Sequence, residues 1–456
     1  MYPRPMVRAL MVLAFVLAPL AARANAPEAD LIFYNARVET LDANFTRARA
    51  VAVAGGHILA VGSHQQIMRL GGPNTRKVNL EGKTLMPGWV DPHQHYFGNF
   101  EEVGGGSLDA MQDMILARGV TTVGELFVNQ FLLPLMQEFA ESGRLKVRTS
   151  LYLIRTSNCG DLRPPFYQDY PPNRDPEAIL RIPGIKIFSD GGSCLYPATT
   201  FVVDLPDQGP ITGDLFFDAD GLYALASEAD ALGYQVAIHT LGDRARDEAL
   251  DAMERVLDGR PNTLRHRFEH TIWLRPDQIA RHASLGILAT GFPDRTCATN
   301  AGMTPVINHM PAFTYPWYRP WRDMLDAGVI LTWKSDGPGE DSTSLSEDPI
   351  QHLYNIVTRK EVDSDGSICE PPEWMTATGA VTIPEALRMM TMTGAYSLFM
   401  ETAVGSLEPG KLADFIVLSD DPLDMQPDDL KDLHLLSTVI GGESLYCAPG
   451  SEALCQ

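Results

Sequence analysis

Hydrophobic and polar positions in the middle of the chain alternate between two periods. Short apolar runs are followed by stretches that carry apolar residues at helical spacing. The pattern predicts eight strands, at residues 85–91, 120–126, 146–154, 184–189, 234–239, 266–271, 286–290 and 329–335. It predicts helices between most of them, including residues 108–118, 220–232, 244–257 and one that begins at Pro276. Eight strands with intervening helices favour a closed parallel (βα)8 barrel of the TIM type. An open doubly wound sheet is the alternative, but no GxGxxG motif follows the first strand to support it.

The two ends of the chain have a different hydrophobic pattern from the middle. Short strands are predicted at residues 31–34, 51–54 and 57–62 near the start, and at residues 405–407, 412–418 and 437–440 near the end. Because the termini of a self-contained barrel lie close together, both ends can join in one small β-sandwich. The predicted organisation is therefore α/β, with a composite β-sandwich (residues 27–85 and 402–456) and a (βα)8 barrel (residues 86–401).

The first 26 residues have the features of a secretory signal peptide. Arg4 and Arg8 precede an apolar run at residues 9–20, which is too short to span a bilayer comfortably. Small residues at alternate positions then offer cleavage after Ala24 or Ala26. We expect an exported protein, periplasmic or secreted, that has no membrane attachment once residues 1–26 are removed.

Composition narrows the classes of partner. With 45% hydrophobic and 21% charged residues, the chain of 456 residues has the balance of a folded globular protein. Its formal net charge of −22 disfavours binding to nucleic acid or to anionic lipid. Export permits disulfides among the six cysteines, but the sequence leaves their pairing open. Cys447 and Cys455 are near enough in the chain that a bond between them could close a C-terminal loop.

Residues of the metal-ligand type follow several predicted strands. His93 and His95 alternate directly after the first barrel strand, so both imidazoles can reach one ion. His239, His270 and Asp336 end three later strands. The active sites of such barrels lie at the carboxyl ends of the strands. A lone histidine at a strand end is more often structural, but five such positions together indicate a metal centre.

Lys186 lies within an otherwise apolar strand. A buried lysine must be paired, neutral or modified, because an unpaired buried ammonium is costly. One interpretation is a salt-bridged or snorkelling side chain. The other is an amine that CO2 carboxylates, which gives an anionic carbamate able to bridge two metals.

Several segments, in this order, resemble the amidohydrolase superfamily and within it amidohydrolase family 3, which includes N-substituted formamide deformylase-like proteins. They are residues 87–95 (PGWVDPHQH), 186–191 (KIFSDG), 238–245 (IHTLGDRA), 267–270 (RFEH), 335–338 (SDGP) and 405–414 (GSLEPGKLAD). Trp89 replaces the phenylalanine usual in the first motif. Only 90 residues lie between His95 and Lys186, where family members often carry a long insertion, so we expect a more open pocket.

The resemblance implies a hydrolase that uses two divalent metal ions, with zinc favoured by the ligand types. His93, His95 and Asp336 would hold one ion, His239 and His270 the other, and carboxylated Lys186 would bridge them. The bond cleaved would be a non-peptide C–N bond of a small molecule: an amide, N-formyl group, carbamate or cyclic amide. Asp336 would be the catalytic residue that passes a proton from water to the departing nitrogen.

Asp243 and Arg244, which follow His239 closely, are candidates for substrate binding, with an ion pair or a helix-start interaction as the alternative. Three other functions stay open. One is a mononuclear heterocycle deaminase or cyclic-amide hydrolase on the same fold, which needs no Lys186. Another is an exported small-molecule binding protein without turnover. The third is hydrolysis of an ester or phosphotriester. The sequence does not reveal whether the chain forms a homo-oligomer.

Overall fold

The structure is a computed structural model that describes residues 28–192, 194–293, 304–338, 348–363, 365–376 and 380–455. The signal peptide predicted at residues 1–26 lies outside these ranges. Within them, no helix combines the length and the apolar character needed to cross a membrane.

The N-terminal region is built from short strands and one short helix. These are β1 (Ala29–Tyr34), β2 (Arg37–Glu39), β3 (Arg47–Ala48), β4 (Ala50–Ala54), β5 (His57–Gly62), α1 (His64–Met68), β6 (Gly71–Asn79) and β7 (Thr84–Pro87). Helix α1 begins where it does because Ser63 and Gln66 form a capping box, in which each side chain accepts the other residue's backbone N–H.

The middle of the chain forms a nearly closed parallel barrel. The strands of this part of the chain are β8 (Trp89–Gln94), β9 (Val120–Val128), β10 (Arg148–Ile154), β11 (Leu180–Phe188), β12 (Val203–Leu205), β13 (Gly209–Ile211), β14 (Gln235–His239), β15 (Arg267–Glu269), β16 (Leu288–Gly291) and β17 (Leu331–Trp333). Strands β8–β11 and β14–β17 pair in chain order in one parallel sheet, and β12 and β13 form a separate hairpin. Beyond β17, the Asp336 N–H donates to the carbonyl of His93 at 3.1 Å, which brings the two edges of the sheet together.

Helices alternate with the strands along the chain, and several of them pack against the barrel strands. They are α2 (Leu108–Leu116), α3 (Leu132–Glu141), α4 (Ala219–Ala231), α5 (Asp243–Leu257), α6 (Pro276–Leu285), α7 (Thr304–His309), α8 (Trp321–Asp326), α9 (Pro349–Thr358), α10 (Glu373–Thr376), α11 (Ile383–Met389) and α12 (Met392–Ser397). Ser107, Asp218 and Asp348 cap α2, α4 and α9 by accepting a first-turn N–H. The remaining elements are the hairpin of β18 (Glu361–Val362) and β19 (Ile368–Cys369), and 3-10 turns at Phe166–Asp169, Ala312–Trp317, Pro422–Asp424, Pro427–Asp432 and Glu452–Leu454.

The last strands return to the N-terminal region. β20 (Phe415–Leu418), β21 (Leu435–Ile440) and β22 (Glu443–Cys447) join β7, β2 and β3 in a six-stranded sheet of order β22-β21-β20-β7-β2-β3. A second sheet has the order β5-β4-β1-β6. The two sheets share a hydrophobic core, in which the rings of Phe33 and Phe415 meet edge to face at 4.8 Å.

Each of the eight predicted barrel segments overlaps a barrel strand, so the predicted TIM-type barrel is confirmed. The first segment, residues 85–91, was wrong as a single strand. The chain changes sheets at Gly88, where a Cβ would collide with the side chain of Thr121. The strand predicted at residues 405–407 was also wrong, because Gly405 has φ 89°, a left-handed conformation that cannot continue a strand.

Two disulfides are present in the described ranges. Cys159 and Cys194 join the loops that follow β10 and β11. Cys447 and Cys455 close the C-terminal loop that the sequence analysis suggested.

Candidate metal centre

A pocket of about 310 Å³ lies at the barrel mouth, where the carboxyl ends of the strands meet. All six residues predicted as metal ligands line it, together with two asparagines and two phenylalanines: His93, His95, Asn99, Phe127, Asn158, Lys186, Phe188, His239, His270 and Asp336. The sequence separation of these residues is large, so the barrel topology is what brings them together.

Three of these side chains converge most closely. The Nε2 atom of His93 lies 3.2 Å from Nε2 of His95 and 3.0 Å from Oδ1 of Asp336. Nε2 of His95 lies 3.4 Å from the same Oδ1. Three donor atoms at these separations surround a point about 2 Å from each, which is the distance at which zinc binds imidazole nitrogen and carboxylate oxygen. The donor set therefore fits one divalent ion.

A carboxylate orients His93, whereas Nδ1 of His95 has no hydrogen-bond partner among the described residues. Nδ1 of His93 donates to Oε2 of Glu269 at 2.6 Å, and Nδ1 of His95 lies 3.8 Å from Oε1 of Glu125. A proton on Nδ1 leaves the Nε2 lone pair free for a metal, as in most histidine ligands. Burial lowers the pKa of His93 to about 3, so the imidazole is neutral, the form that binds metals.

His239 and His270 face the same pocket, with ring centroids 4.3 Å apart. Nε2 of His239 donates to the carbonyl of Gly191 at 3.1 Å, which leaves the lone pair on Nδ1. Nδ1 of His239 and Nε2 of His270 are buried and have no hydrogen-bond partner among the residues that the structure describes. Burial lowers the pKa of both imidazoles well below the usual range.

The amine of Lys186 is also buried, and no described residue accepts a hydrogen bond from it. It lies 4.8 Å from the ring centroid of Phe188. Burial lowers the pKa of this amine to about 7, so a large fraction is neutral near physiological pH. A neutral amine is the form that reacts with CO2.

Sequence comparison decides the family. The profile described as "Amidohydrolase family" matches residues 101–446, which is most of the chain. The chain belongs to the amidohydrolase family. The family predicted from the motifs is thereby confirmed.

Relatives of this amidohydrolase differ in how much of their length they share with it. It is 32% identical to the N-substituted formamide deformylase of Arthrobacter pascens over 288 residues, which are 61% of this chain and 48% of the relative. It is 29% identical to Protein LONG AFTER FAR-RED 3 of Arabidopsis thaliana over 273 residues, 59% of this chain and 43% of the relative. The match thus spans about half the length of these two relatives. An imidazolonepropionase of Symbiobacterium thermophilum is 24% identical over 432 residues, 83% of this chain and 85% of the relative.

Solved structures agree on the fold. An uncharacterized metal-dependent hydrolase from Pyrococcus horikoshii superposes with a TM-score of 0.70 at 18% identity, covering 87% of this chain and 99% of that one. Another from Pyrococcus furiosus gives 0.69 at 19% identity, with 86% and 100% covered. At these identities the likeness supports the barrel fold and nothing finer.

One lysine of this amidohydrolase was missed by the sequence analysis. Lys334 follows β17 and is fully buried, with Nζ 2.7 Å from Nδ1 of His270 and 3.0 Å from Oδ1 of Asp336. Its signal was available, because it ends an apolar strand just as Lys186 lies within one. The carboxylates of Glu125 and Glu269 were missed as well, since an acidic residue inside a strand does not reveal which histidine it contacts.

Backbone strain also marks the centre. His270, Thr271 and Asp336 have φ of 79°, 40° and 60°, in the left-handed region that residues other than glycine rarely adopt. Such conformations cost on the order of 1–3 kcal/mol each and cluster at functional sites. His270 and Asp336 both line the pocket, so the strain lies among the candidate ligands.

Asp243 and Arg244, predicted to contact substrate, are engaged elsewhere. Asp243 accepts the Thr200 N–H at 2.8 Å and pairs with Arg275 at 2.9 Å. Arg244 donates to the carbonyl of Gly213 at 2.8 Å. Neither residue is among those that line the pocket. The contacts of Asp243 are those of the ion-pair alternative, and substrate contact by these two residues stays a prediction.

Proposed function

We propose that this amidohydrolase cleaves a C–N bond other than a peptide bond in a small molecule, with the help of a divalent metal ion. The observation that carries the proposal is the convergence of His93, His95 and Asp336 on one point at the barrel mouth, within 3.0–3.4 Å of one another. The names of the relatives support it, since a formamide deformylase and an imidazolonepropionase are hydrolases of C–N bonds.

The metal would supply a Lewis acid that lowers the pKa of water and polarises the substrate carbonyl. Asp336 is the proposed catalytic residue. Burial alone would raise the pKa of this carboxyl, but Lys334, His270 and His93 hold it well below the usual range. The ionised carboxylate accepts a proton from water and passes it to the departing nitrogen, because an amine leaves poorly unless it is protonated.

Two zinc ions bridged by carboxylated Lys186 are the finer form of the proposal. The amine of Lys186 and Nδ1 of His239, both without partners among the described residues, favour further ligation at this side of the pocket. Nδ1 of His270 lies 2.7 Å from Nζ of Lys334 and 3.3 Å from Oδ2 of Asp336.

The pocket suits a small amide. Its volume of about 310 Å³ is at the lower end of the range for small-molecule sites. Asn99 and Asn158 offer amide hydrogen bonds to a polar substrate group, and Phe127 and Phe188 offer an apolar wall. N-formyl, N-acyl, carbamate and cyclic-amide substrates all fit this description.

A second candidate is a mononuclear deaminase or cyclic-amide hydrolase that acts on a heterocycle. The alignment with the imidazolonepropionase favours it, since that alignment covers 85% of the relative. A cyclic amide would then be the substrate class, with the same Asp336 as proton carrier.

Metal analysis and a substrate screen test the function. The purified mature protein is analysed for zinc and other divalent metals, then assayed with N-formyl, N-acyl amino-acid, cyclic-imide and carbamate substrates. We expect bound metal, turnover of one of these classes, and a rate at least about 100-fold lower in Asp336→Asn. The variant Asp326→Asn, at the surface end of α8, is the control. A protein that binds no divalent metal, or an Asp336→Asn variant as fast as the wild type, contradicts the proposal.

We further propose that residues 1–26 are a signal peptide and that the mature protein is periplasmic or secreted. The organisation into a β-sandwich (residues 27–85 and 402–456) and a barrel (residues 86–401) belongs to the same proposal, and the six-stranded sheet that combines both chain ends supports it. N-terminal sequencing of the exported protein should begin at Asn25 or Pro27. An unprocessed cytoplasmic product contradicts export, and light scattering of the mature protein gives its oligomeric state.

A further inference from the structure

Large apolar side chains are exposed on loops around the pocket. The loops after β9, β10, β11 and β16 leave the carboxyl ends of barrel strands, which is the edge at which the pocket lies. Each of these loops presents at least one large apolar side chain to solvent. We call the group the apolar rim, and its members are 47–72% exposed: Phe131, Leu162, Leu195, Val202 and Phe313.

Two parts of the rim lie in uncharged stretches of a strongly acidic chain. Residues 126–137, which include Phe131, contain no charged residue, and neither do residues 191–203, which include Leu195 and Val202. In the chain as a whole 21% of the residues are charged and the formal net charge is −22. Single exposed apolar residues need no explanation, but a group of them beside a pocket indicates a binding surface.

The turn that carries Leu195 borders the pocket directly. The N–H of Gly192 donates to the carbonyl of Leu195 at 2.7 Å. A Cβ on Gly192 would lie only 3.4 Å from Cε1 of His239, a residue that lines the pocket. Leu195 therefore extends the surface of the pocket outward along the loop after β11.

Leu162 lies on a second loop that reaches the pocket. Its backbone forms an antiparallel bridge with Thr156, and between the two residues lies Asn158, which lines the pocket. The disulfide between Cys159 and Cys194 joins this loop to the one that carries Leu195, with the two Cα atoms 5.4 Å apart. A covalent link thus holds the two rim segments at the pocket.

We propose that the apolar rim binds a hydrocarbon chain of the substrate, which leaves the pocket and lies across Leu162 and Leu195. The inference rests on the proposed function and deepens it, from a small amide to an amide that carries a chain of several methylene groups. The pocket of about 310 Å³ has room for the amide itself. Its apolar wall, in which the rings of Phe127 and Phe188 are 6.2 Å apart, begins a surface that the rim continues.

The charge of the chain favours a neutral occupant over the other candidates for the rim. A net charge of −22 repels a second copy of this chain and an anionic lipid surface, whereas it leaves a hydrocarbon chain unaffected. Burial of methylene groups against leucine side chains removes apolar surface from water on both partners.

The test measures how binding depends on chain length. Two series with unbranched chains of four to eight carbons, N-alkylformamides and N-methylalkanamides, are titrated into the metal-loaded mature protein by calorimetry, and kcat/KM is measured with the same compounds. In one series each added methylene should lower Kd about 2- to 4-fold. Leu162→Ser/Leu195→Ser should lose most of this dependence. Leu232→Ser, the matched control, should keep it, because Leu232 is 46% exposed, against 47% for Leu195, but lies just before β14 at the opposite end of the barrel.

Several results would overturn the inference. They are Kd values that do not change with chain length in either series, and a serine double variant that keeps the wild-type dependence. If the double variant does not fold, as judged by circular dichroism, Leu162→Ser and Leu195→Ser are compared singly with Leu232→Ser by the same criterion. A wild-type dimer that the rim variant separates, or binding to phosphatidylcholine vesicles that the variant loses, assigns the rim to another occupant and also overturns the inference.

Failure of the inference and failure of the proposed function give different results. Binding that tightens with chain length, without turnover of any amide, supports the rim and contradicts the proposed function. Turnover of amides whose Kd and kcat/KM do not depend on chain length supports the proposed function and overturns the inference.

Discussion

Lys186 is the residue whose chemistry depends most on its surroundings. Burial lowers the pKa of its amine to about 7 from 10.5, because the charged form loses hydration inside the barrel. Below pH 7 the amine is protonated and cannot attack CO2, and above pH 7 it is neutral. In 13C-bicarbonate we therefore expect a protein-bound carbamate signal in 13C NMR that rises between pH 6 and pH 8.

The signal should vanish in Lys186→Met and persist in Lys411→Met. Lys411 is the matched control, since its amine is also largely buried but donates to the carbonyl of Glu401 and to Ser406, each at 2.6 Å. A carbamate signal that survives in Lys186→Met, or that does not change with pH, contradicts this account of the residue.

Glu269 would act on a metal bound at His93 through the imidazole of that residue. It accepts the Nδ1–H of His93 at 2.6 Å and pairs with Arg267 at 2.8 Å, and all three side chains are buried. Removing a partner of this kind lowers metal affinity about 10- to 100-fold. We expect Glu269→Gln to show a loss of that size in competition with a chelator, while Glu443→Gln, on the exposed end of β22, binds as the wild type does. Equal metal affinities in the two variants would show that Glu269 does not support metal binding through His93.

At this scale the sequence predicted the residues that line the pocket better than the partners of those residues. His93, His239 and Asp336 could be found because each stands at the end of a predicted strand. Glu269 and Lys334 could not be assigned in the same way, since their roles depend on which histidine nitrogen they touch. That choice is made by barrel closure, which brings together residues far apart in the chain.

Among the elements, the loops after β10 and β11 shape the pocket wall and are joined by the disulfide Cys159–Cys194. Asn158, next to Cys159, lines the pocket, and Gly191 accepts the Nε2–H of His239. Loosening these loops should misplace both groups, and a shift of about 1 Å can cost about 100-fold in rate. We expect kcat/KM on the substrate found in the screen to fall roughly 10- to 100-fold in the double variant Cys159→Ser/Cys194→Ser.

The other disulfide provides the control for that experiment. Cys447→Ser/Cys455→Ser opens a loop of 8 residues at the far end of the chain, and neither cysteine is among the pocket residues. This variant should keep wild-type kcat/KM. If both double variants lose activity to the same degree, the effect is one of general stability and the role given to the first disulfide is wrong.

The eight barrel strands were predicted in number and order, but not at every boundary. Periodicity identified the helix at residues 244–257 because its apolar face is regular, and the structure has α5 at Asp243–Leu257. It could not divide residues 85–91, since β7 and β8 are both buried and only Gly88 separates them. Where a chain passes from one sheet to the next without a loop, the hydrophobic pattern alone does not reveal where one strand ends and the next begins.

At the scale of the whole molecule, a buried ion pair connects the barrel to the sheet that both chain ends form. Arg148, the first residue of β10, is paired with Asp414, which precedes β20, through two hydrogen bonds, and the side chains are 8% and 1% exposed. Asp414 also accepts the Gly441 N–H at 2.8 Å. One carboxylate therefore holds a barrel strand and two segments of the C-terminal sheet region at once.

Replacing that carboxylate should weaken the whole fold. In Asp414→Asn the buried guanidinium of Arg148 loses its counter-charge, and breaking a buried pair in this way costs about 3–5 kcal/mol. The urea midpoint of unfolding should therefore fall clearly. Asp251→Asn is the matched control, because Asp251 pairs with Arg281 at 2.7 Å but is 56% exposed, and a solvent-screened pair contributes about 0–1 kcal/mol. If the two variants unfold at the same urea concentration, the ion pair does not couple the barrel to the sheet, and their association must depend on the apolar contacts alone.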